Sequence, residues 1–211
     1  VFLGRALQTV NPPNASVGSA QVADSLISGK TALGATPADT DELLISDAGT
    51  LKRVDYSYLK SANTPAFYAY LGSNQSGLTD DANVKITIDT EVIDTDNCFA
   101  SNKFTPTTAG KYLLYASINY DTGAASNLRA CDTRIYKNGS AIAKSTFNFI
   151  DNYAKNSAQH LSVVVDANGS SDYFELYGQA NTQNSGTWTA IGYSNSEIRT
   201  YFGGYKIIGV S

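Results

Sequence analysis

The sequence predicts an all-β fold built from antiparallel strands, and three observations lead to that prediction. Only 16% of the 211 residues are charged, whereas tyrosine occurs 14 times and glycine 17 times. β-Branched and aromatic side chains pack well on pleated sheets, while glycine allows the tight turns between strands. From residue 64 onward, short apolar stretches alternate with turn signals at regular spacing, which is typical of a sandwich or barrel.

The composition argues against several classes of function. The net charge is -4 and there is no basic run, so we expect no binding to nucleic acid. No apolar stretch approaches the length of a membrane-spanning helix, so we expect no membrane insertion. The first ten residues lack the long apolar centre of a signal peptide. The single histidine and two cysteines are too few for a zinc site.

Residues 1–63 are predicted to form an extended arm or stalk. Up to residue 40 they are rich in Ala, Ser, Thr, Gly and Pro, and they cannot bury enough apolar surface to offset the entropy of the chain. A short hairpin is predicted near 43–55, with strands at 43–46 and 51–55 joined through the glycine-containing turn at 47–49. Because a two-stranded hairpin is marginally stable alone, this segment favours an oligomer.

Residues 64–211 are predicted to form one β domain. Alternating Phe67, Ala69 and Leu71 predict a first strand over 65–71. Residues 84–93 alternate in the same way, with Ile86, Ile88 and, after a shift, Val92 expected on the buried side. A short strand is expected to begin at Phe104, followed by a strand over 111–119.

Two Asn-Gly pairs, at 138–139 and 168–169, predict hairpins in the second half of this domain, because Asn-Gly suits the two-residue turns that join antiparallel strands. The first pair is expected to join a strand over 128–137 to one over 141–147. The second is expected to join 161–166 to 173–179. Strands over 187–191 and 198–210 complete the domain.

Two motifs separated by about a hundred residues stand out in the domain. Their members are Phe104, Gly110 and Tyr112 in the first, and Phe202, Gly204 and Tyr205 in the second. They give residues 64–211 a resemblance to the head domains of the C1q/tumour-necrosis-factor family, whose core motif reads F-x5-G-x-Y-x-F-x-F/Y. Leu114, Ala116 and Asn97 stand where that family has further aromatics. The resemblance implies a jelly roll of two antiparallel sheets and a homotrimer.

Tyrosines on the predicted strands support a subunit interface, because the phenol ring is apolar and its hydroxyl can meet a polar neighbour. The predicted strands carry more tyrosines than the core of one domain commonly contains. The candidates are Tyr112, Tyr173, Tyr177 and Tyr205.

The long connections, 120–127, 150–159 and 181–196, are expected at one end of the domain, because alternate loops between antiparallel strands share an end. The short turns and the ends of the domain are expected at the other. The long connections combine large aromatic side chains with Asn, Ser, Gly and Asp, as recognition surfaces do. The candidate receptor-facing residues are Tyr120, Tyr153, Trp188 and Tyr193. The alternative is that these side chains pack in the core or at a subunit interface.

No residue pattern typical of an enzyme, a metal site or a cofactor site is present, so we expect none. His160 has no nucleophile elbow to serve, and nothing fixes the separation of Glu91 and Glu175 for glycoside cleavage. Cys98 and Cys131 are interpreted as buried thiols, with a disulfide left open. Five aspartates could supply oxygen ligands for calcium but match no calcium loop, and are interpreted as solvated charge. They are Asp80, Asp81, Asp89, Asp94 and Asp96.

The segment PADTDELLISDAGTLKRVDYSYLK, residues 37–60, is similar to segments of tail-fibre and other virion fibre proteins of bacteriophages. The two resemblances together imply a non-enzymatic trimeric fibre located in the virion, as a tail or head fibre. Residues 1–63 would anchor it to other virion proteins, and the head would adhere to a host-cell glycan or surface protein. One alternative is a purely structural capsid-decoration or collar fibre. Another is a secreted C1q-like protein that binds carbohydrate or protein.

Overall fold

The computed structural model describes residues 28–59 and 62–209. The chain divides into two compact units, Val1–Lys60 and Ser61–Ser211, whereas the sequence-based boundary lies at residue 64. The first 27 residues of the predicted arm, and the end of the last predicted strand at residue 210, lie outside the described residues. No helix in the described ranges is long and apolar enough to cross a membrane.

The first unit contains a β-hairpin at the position where the sequence predicts one. Strand β1 (Glu42–Asp47) pairs antiparallel with β2 (Thr50–Asp55). Ala48 and Gly49 form the turn with φ of 50° and 84°, the positive values that a type I′ turn requires. Leu44 and Leu51 are 73% and 69% exposed. Within its own unit this hairpin therefore leaves large apolar side chains uncovered.

The second unit is built from strands throughout the range 62–209. They are β3 (Ala66–Tyr70), β4 (Gln75–Thr79), β5 (Val84–Lys85), β6 (Thr90–Asp94), β7 (Phe99–Ala100), β8 (Lys103–Phe104), β9 (Ala109–Asp121), β10 (Leu128–Lys137), β11 (Ser140–Asn148), β12 (Asn156–Asn168), β13 (Phe174–Thr182), β14 (Thr187–Ala190) and β15 (Tyr201–Lys206). The sequence analysis missed β4 and β7, which are short and show no clear alternation.

These strands form two antiparallel sheets around one hydrophobic core. The six-stranded sheet has the order β11-β10-β13-β8-β7, with β5 also paired to β13. The seven-stranded sheet has the order β4-β14-β9-β15-β3-β6, with β12 paired to β9. Ala66, in the first strand of the unit, lies opposite Tyr205 in the last, so the two ends of the unit meet at one end of the sandwich.

The two Asn-Gly turns have different roles. The predicted hairpin at Asn138-Gly139 is confirmed, since β10 pairs with β11 across it. The predicted hairpin at Asn168-Gly169 is wrong, because β12 pairs with β9 and β13 pairs with β10. There, Asn168 Oδ1 accepts hydrogen bonds from the backbone of the three residues that follow Gly169. The turn therefore takes the chain from one sheet to the other.

Residues 84–93 are not one strand. Strand β5 belongs to the six-stranded sheet and β6 to the seven-stranded sheet, so the chain crosses between sheets within this segment. Ile86 and Ile88 are buried as predicted, but Val92 is 56% exposed and its predicted inward position is wrong. The crossing resets the alternation, because each sheet imposes its own inward side on its strands.

Phe67 joins the two sheets at the centre of the core. Its ring lies 4.3 Å from the ring of Phe104 and 5.0 Å from that of Phe99, both on the six-stranded sheet. The ring of Phe202, from the neighbouring strand of its own sheet, meets it edge-on at 4.9 Å. These offset and edge-on arrangements are the favoured geometries of aromatic pairs. The two sequence motifs therefore meet at Phe67.

Gly110 and Tyr112 complete the first motif. Gly110 has φ of 146°, a backbone conformation that favours glycine. A side chain there would meet Lys206 Cε at 2.9 Å, so a lysine stem, rather than a second backbone, approaches it. Tyr112 is buried beside Phe104, and its hydroxyl donates a 2.6 Å hydrogen bond to the Thr108 carbonyl. Burial, with smaller contributions from Cys98 and Asp96, raises the pKa of Tyr112 to about 12.

The raised pKa of Tyr112 makes stability depend on alkaline pH. The folded state holds the phenol proton more tightly than the unfolded chain, so this stabilisation is complete below pH 10.0 and is lost as the pH rises toward about 12. In urea titrations, we expect Tyr112→Phe to lose less unfolding free energy than the wild type between about pH 9 and about pH 11. At neutral pH the variant is expected to be less stable by about 1 kcal/mol, because one hydrogen bond is removed.

Tyr193→Phe, at an exposed tyrosine, is the matched control for this experiment and is expected to retain the wild-type pH dependence. If the wild type and Tyr112→Phe lose the same unfolding free energy at alkaline pH, the buried phenol does not determine how stability depends on pH in this range.

Candidate functional site

The outer face of the seven-stranded sheet carries a row of tyrosines without charged residues among them. Along β9, Tyr112 and Leu114 point into the core, so Leu113 and Tyr115 point outward. The outward positions of β12, β9, β15 and β3 align in three rows, defined here as the tyrosine face. The rows are His160–Ser117–Tyr201–Tyr70, Ser162–Tyr115–Gly203–Tyr68 and Val164–Leu113–Tyr205–Ala66.

Three tyrosine rings surround Gly203 at the centre of this face. The ring of Tyr68 lies 6.3 Å from that of Tyr115 and 5.8 Å from that of Tyr201, and the rings of Tyr115 and Tyr201 are 6.3 Å apart. A Cβ atom on Gly203 would lie 2.5 Å from Cζ of Tyr115. The absence of a side chain at residue 203 therefore lets the Tyr115 ring lie over the strand.

The hydroxyls of Tyr68, Tyr115 and Tyr201 form no hydrogen bond within residues 28–59 and 62–209. Burial raises the pKa of Tyr68, with a smaller effect from Tyr201, and burial also raises the pKa of Tyr115, with a smaller effect from Tyr205. These two phenols are therefore neutral at physiological pH. Neutral rings with unused hydroxyls suit a contact with another protein surface, where the ring buries apolar area and the hydroxyl finds a partner.

Aliphatic side chains extend the apolar surface to both sides of the tyrosines. Val164, on β12, is 55% exposed, and Ile93, on β6, lies opposite Tyr68 and is also exposed. Contiguous apolar patches on the surface of a domain mark interaction sites more often than scattered apolar residues do. The tyrosine face therefore has the composition of a subunit interface.

Of the four tyrosines that the sequence analysis placed at an interface, only Tyr205 lies on the tyrosine face. Tyr112 is in the core, and Tyr173 and Tyr177 lie next to and on β13 of the other sheet. The other tyrosines of this face were not predicted from the sequence; they are Tyr68, Tyr70, Tyr115 and Tyr201. A signal for the first two was present, because they alternate with the buried residues of β3.

Two of the four candidate receptor-facing residues are buried, which corrects their candidate place in exposed loops and agrees with the alternative of packing in the core. Tyr120 lies in β9 and Trp188 in β14, with ring centroids 5.0 Å apart in the core. The Tyr120 hydroxyl donates a 2.6 Å hydrogen bond to the Asp132 carbonyl, and Trp188 Nε1 donates one of 3.1 Å to the Thr79 carbonyl. The polar atoms of both side chains thus have partners inside the unit.

Tyr153 and Tyr193 remain at the surface. Tyr153 is half-buried in the connection between β11 and β12, and the guanidinium of Arg129 lies 5.6 Å from its ring centre. Tyr193 is exposed, with its ring 5.7 Å from that of Tyr70, so it adjoins the tyrosine face. A role for either residue in receptor contact stays a prediction.

The candidate carboxylates are not gathered into one site. Glu175 is buried on β13 and its Oε1 accepts a 2.7 Å hydrogen bond from Lys85 Nζ, whereas Glu91 lies on β6 in the other sheet. Among the described residues, no group of three or more His, Cys, Asp or Glu side chains is placed to hold a metal ion. Several of the aspartates considered for calcium instead accept hydrogen bonds from backbone amides. They are Asp80, from Thr182; Asp89, from Gly72; and Asp94, from Cys98 and Phe99.

Neither cysteine forms a disulfide; both are buried free thiols. Burial raises the pKa of Cys131 to about 12 and also raises that of Cys98, where the carboxylate of Asp94 adds to the effect. Both thiols therefore stay protonated at neutral pH, and the thiolate is the form in which cysteine reacts. They serve as small apolar groups of the core.

No protein-family model and no curated protein matches this chain. Solved structures do match it. Eiger TNF from S. frugiperda aligns with a TM-score of 0.51 and 10% identity, over 69% of this chain and 94% of that chain. Murine APRIL at pH 5.0 aligns at 0.47 and 11%, over 67% and 98%. The globular domain of zebrafish complement 1qA protein aligns at 0.43 and 11%, over 68% and 98%.

At such low sequence identity, a structural alignment is evidence for the fold alone. The alignment with Eiger TNF, with its TM-score of 0.51, supports the fold assignment. The antiparallel sandwich of residues 62–209 is a C1q/TNF-like jelly roll. The predicted fold class is thereby confirmed.

The adjacent glycines 203 and 204 face opposite sides of β15, which gives a test of the two faces. A Cβ on Gly204 would lie 2.5 Å from Leu114 Cδ2 and 2.9 Å from the Leu113 carbonyl oxygen, inside the core. We expect Gly204→Ala to lower the free energy of unfolding in urea by about 1–3 kcal/mol, because a packed core resists added volume. Gly203→Ala is expected to cost about 0.5 kcal/mol or less, because only the Tyr115 ring must move. Equal losses would contradict this assignment of faces.

Proposed function

We propose that this chain is a non-enzymatic protein that works as a homotrimer, with the tyrosine face as the interface between subunits. The observation that carries the proposal is the cluster of Tyr68, Tyr115 and Tyr201 around Gly203 on the outer face of the seven-stranded sheet. Burying these rings against a second copy removes apolar area from water, which is the main driving force of association. The C1q/tumour-necrosis-factor resemblance, with its threefold heads, favours three subunits.

The hairpin of the first unit supports association as well. Leu44 and Leu51 are exposed on one face of the ribbon, and Leu43 and Ile45 are exposed on the other. A two-stranded ribbon cannot cover side chains on both of its faces. Hairpins from several copies can cover each other, which would make residues 1–63 an attachment arm that is itself oligomeric.

We further propose that the protein is a fibre of a bacteriophage virion. The similarity of residues 37–60 to virion fibre proteins supports anchoring through residues 1–63. The head would then hold the host surface by several weak, simultaneous contacts, because linking binding sites raises avidity without any new contact. The ligand in this proposal is a host-cell glycan or surface protein.

A purely structural role is the second candidate. Burial of Tyr120 and Trp188 favours it, because the long connections then carry fewer exposed aromatics than the sequence predicted. Fluorescently labelled protein separates the two roles. Adhesion requires that it stain susceptible cells, whereas a decoration or collar fibre leaves every cell unstained and is needed for particle integrity.

The association is tested by light scattering on the full chain. We expect the wild type to have the mass of three chains at low micromolar concentration. Tyr201→Ala is expected to weaken association at least about a hundredfold, because one substitution removes three copies of an interface aromatic per trimer. Tyr153→Ala, outside the tyrosine face, is the matched control and should leave the mass unchanged. A monomeric wild type, or a trimeric Tyr201→Ala variant, would contradict the proposed interface.

A further inference from the structure

The outer face of the six-stranded sheet contains a groove whose shape follows from one small residue. Ala130 on β10 lies opposite Asn148 on β11 and opposite Asn181 on β13, so a methyl group separates two longer amides. Two depressions, of about 290 Å³ and 270 Å³, both include these three residues. They form one continuous surface, which we name the amide groove.

One end of the amide groove is polar, with its charges balanced. Asp132 Oδ2 accepts a 2.6 Å hydrogen bond from Arg134 and lies 3.7 Å from Lys144 Nζ. Gln179 accepts a 2.6 Å hydrogen bond from Arg134 and donates one of 2.7 Å to Asp81. Two carboxylates and two cations offset each other, so this end does not favour a strongly charged ligand.

The groove also contains unused hydrogen-bonding capacity. Within the described part of the chain, the side chains of Asn148 and Asn181 form no hydrogen bonds. Oδ1 of Asp132 and Nε of Arg134 are buried, so a ligand in the groove does not reach them. The amides of Asn148 and Asn181 are the groups that can accept hydrogen bonds from a ligand and donate hydrogen bonds to it.

The other end of the groove is aromatic and apolar. It is lined by Tyr153, Phe149 and Ile150, and Arg129 lies over the Tyr153 ring. Ile150 is largely exposed. A site with an aromatic platform at one end and amides at the other suits a ligand that has both an apolar face and many hydrogen-bonding groups.

We propose that the amide groove binds a neutral carbohydrate. A sugar ring presents C–H groups to an aromatic ring and hydroxyls to polar side chains. Amides both accept hydrogen bonds from these hydroxyls and donate hydrogen bonds to them, whereas carboxylates only accept. An extended peptide fits less well, because apolar side chains line only one end of the groove, whereas a peptide is held by a series of pockets for alternate side chains. The inference rests on the adhesive part of the proposed function and is independent of the trimer.

The test begins with the full chain on an array of neutral and acidic oligosaccharides, followed by calorimetric titration with the neutral oligosaccharide that binds best. Asn148→Ala and Asn181→Ala should each lower the affinity at least tenfold. They remove no hydrogen bond within the described part of the chain, so we expect both variants to fold. Asn156→Ala, exposed on β12 of the other sheet, is the matched control and should bind as the wild type does.

Three results would overturn the inference: no oligosaccharide binds, only acidic ones bind, or the two groove variants bind as tightly as the control. Displacement of the sugar by a peptide that loses affinity in the same variants would assign the groove to peptides instead. Light scattering on the same samples separates this inference from the trimer. A trimer that binds no sugar refutes only the groove, and a sugar-binding monomer refutes only the trimer.

Discussion

The packing of Phe67 between the two sheets is the interaction on which the rest of this unit depends. Its ring lies between aromatic residues of both sequence motifs, Phe104 at 4.3 Å and Phe202 at 4.9 Å. Glycine at residue 204 leaves room for this packing, because a Cβ there would lie 2.5 Å from Leu114 Cδ2 and 3.1 Å from the Phe67 ring. Since neighbouring residues of a strand point to opposite faces, burying Phe67 also turns Tyr68 outward. The core and the tyrosine face are thus set by the same register.

Local signals in the sequence were sufficient to predict the fold class and the positions of the Asn-Gly turns. Asn138-Gly139 determines a hairpin because the turn itself imposes antiparallel neighbours. Asn168-Gly169 has the same local chemistry, yet β12 and β13 belong to different sheets. A turn fixes the backbone direction, whereas the choice of partner strand depends on contacts between residues distant in sequence. Local patterns in the sequence therefore did not predict the partner strands of β12 and β13.

The candidate sites illustrate the same limit. Tyrosine is compatible with core, interface and solvent, so the number of tyrosines predicted an interface, but only one of the four candidates, Tyr205, lies on the tyrosine face. Tyr112 and Tyr205 come from the two motifs, yet one is buried beside Phe104 and the other lies on the outer face. The inward side of each strand is decided by the opposing sheet. For the same reason the sequence left Trp188 open between a receptor-facing loop and the core, and the structure places its indole in the core.

The two outer faces of the sandwich differ in chemistry, and this difference fits the proposed division between assembly and recognition. The tyrosine face is rich in aromatic and aliphatic side chains, which suits a permanent contact between like subunits. The amide groove is polar, with Ala130 between Asn148 and Asn181, which suits a weak and reversible contact with a hydroxylated ligand. A trimer that buries the tyrosine face of each subunit leaves three copies of the amide groove exposed. Because linked sites act at high effective concentration, even a weak sugar contact would then hold a surface that carries many copies of the glycan.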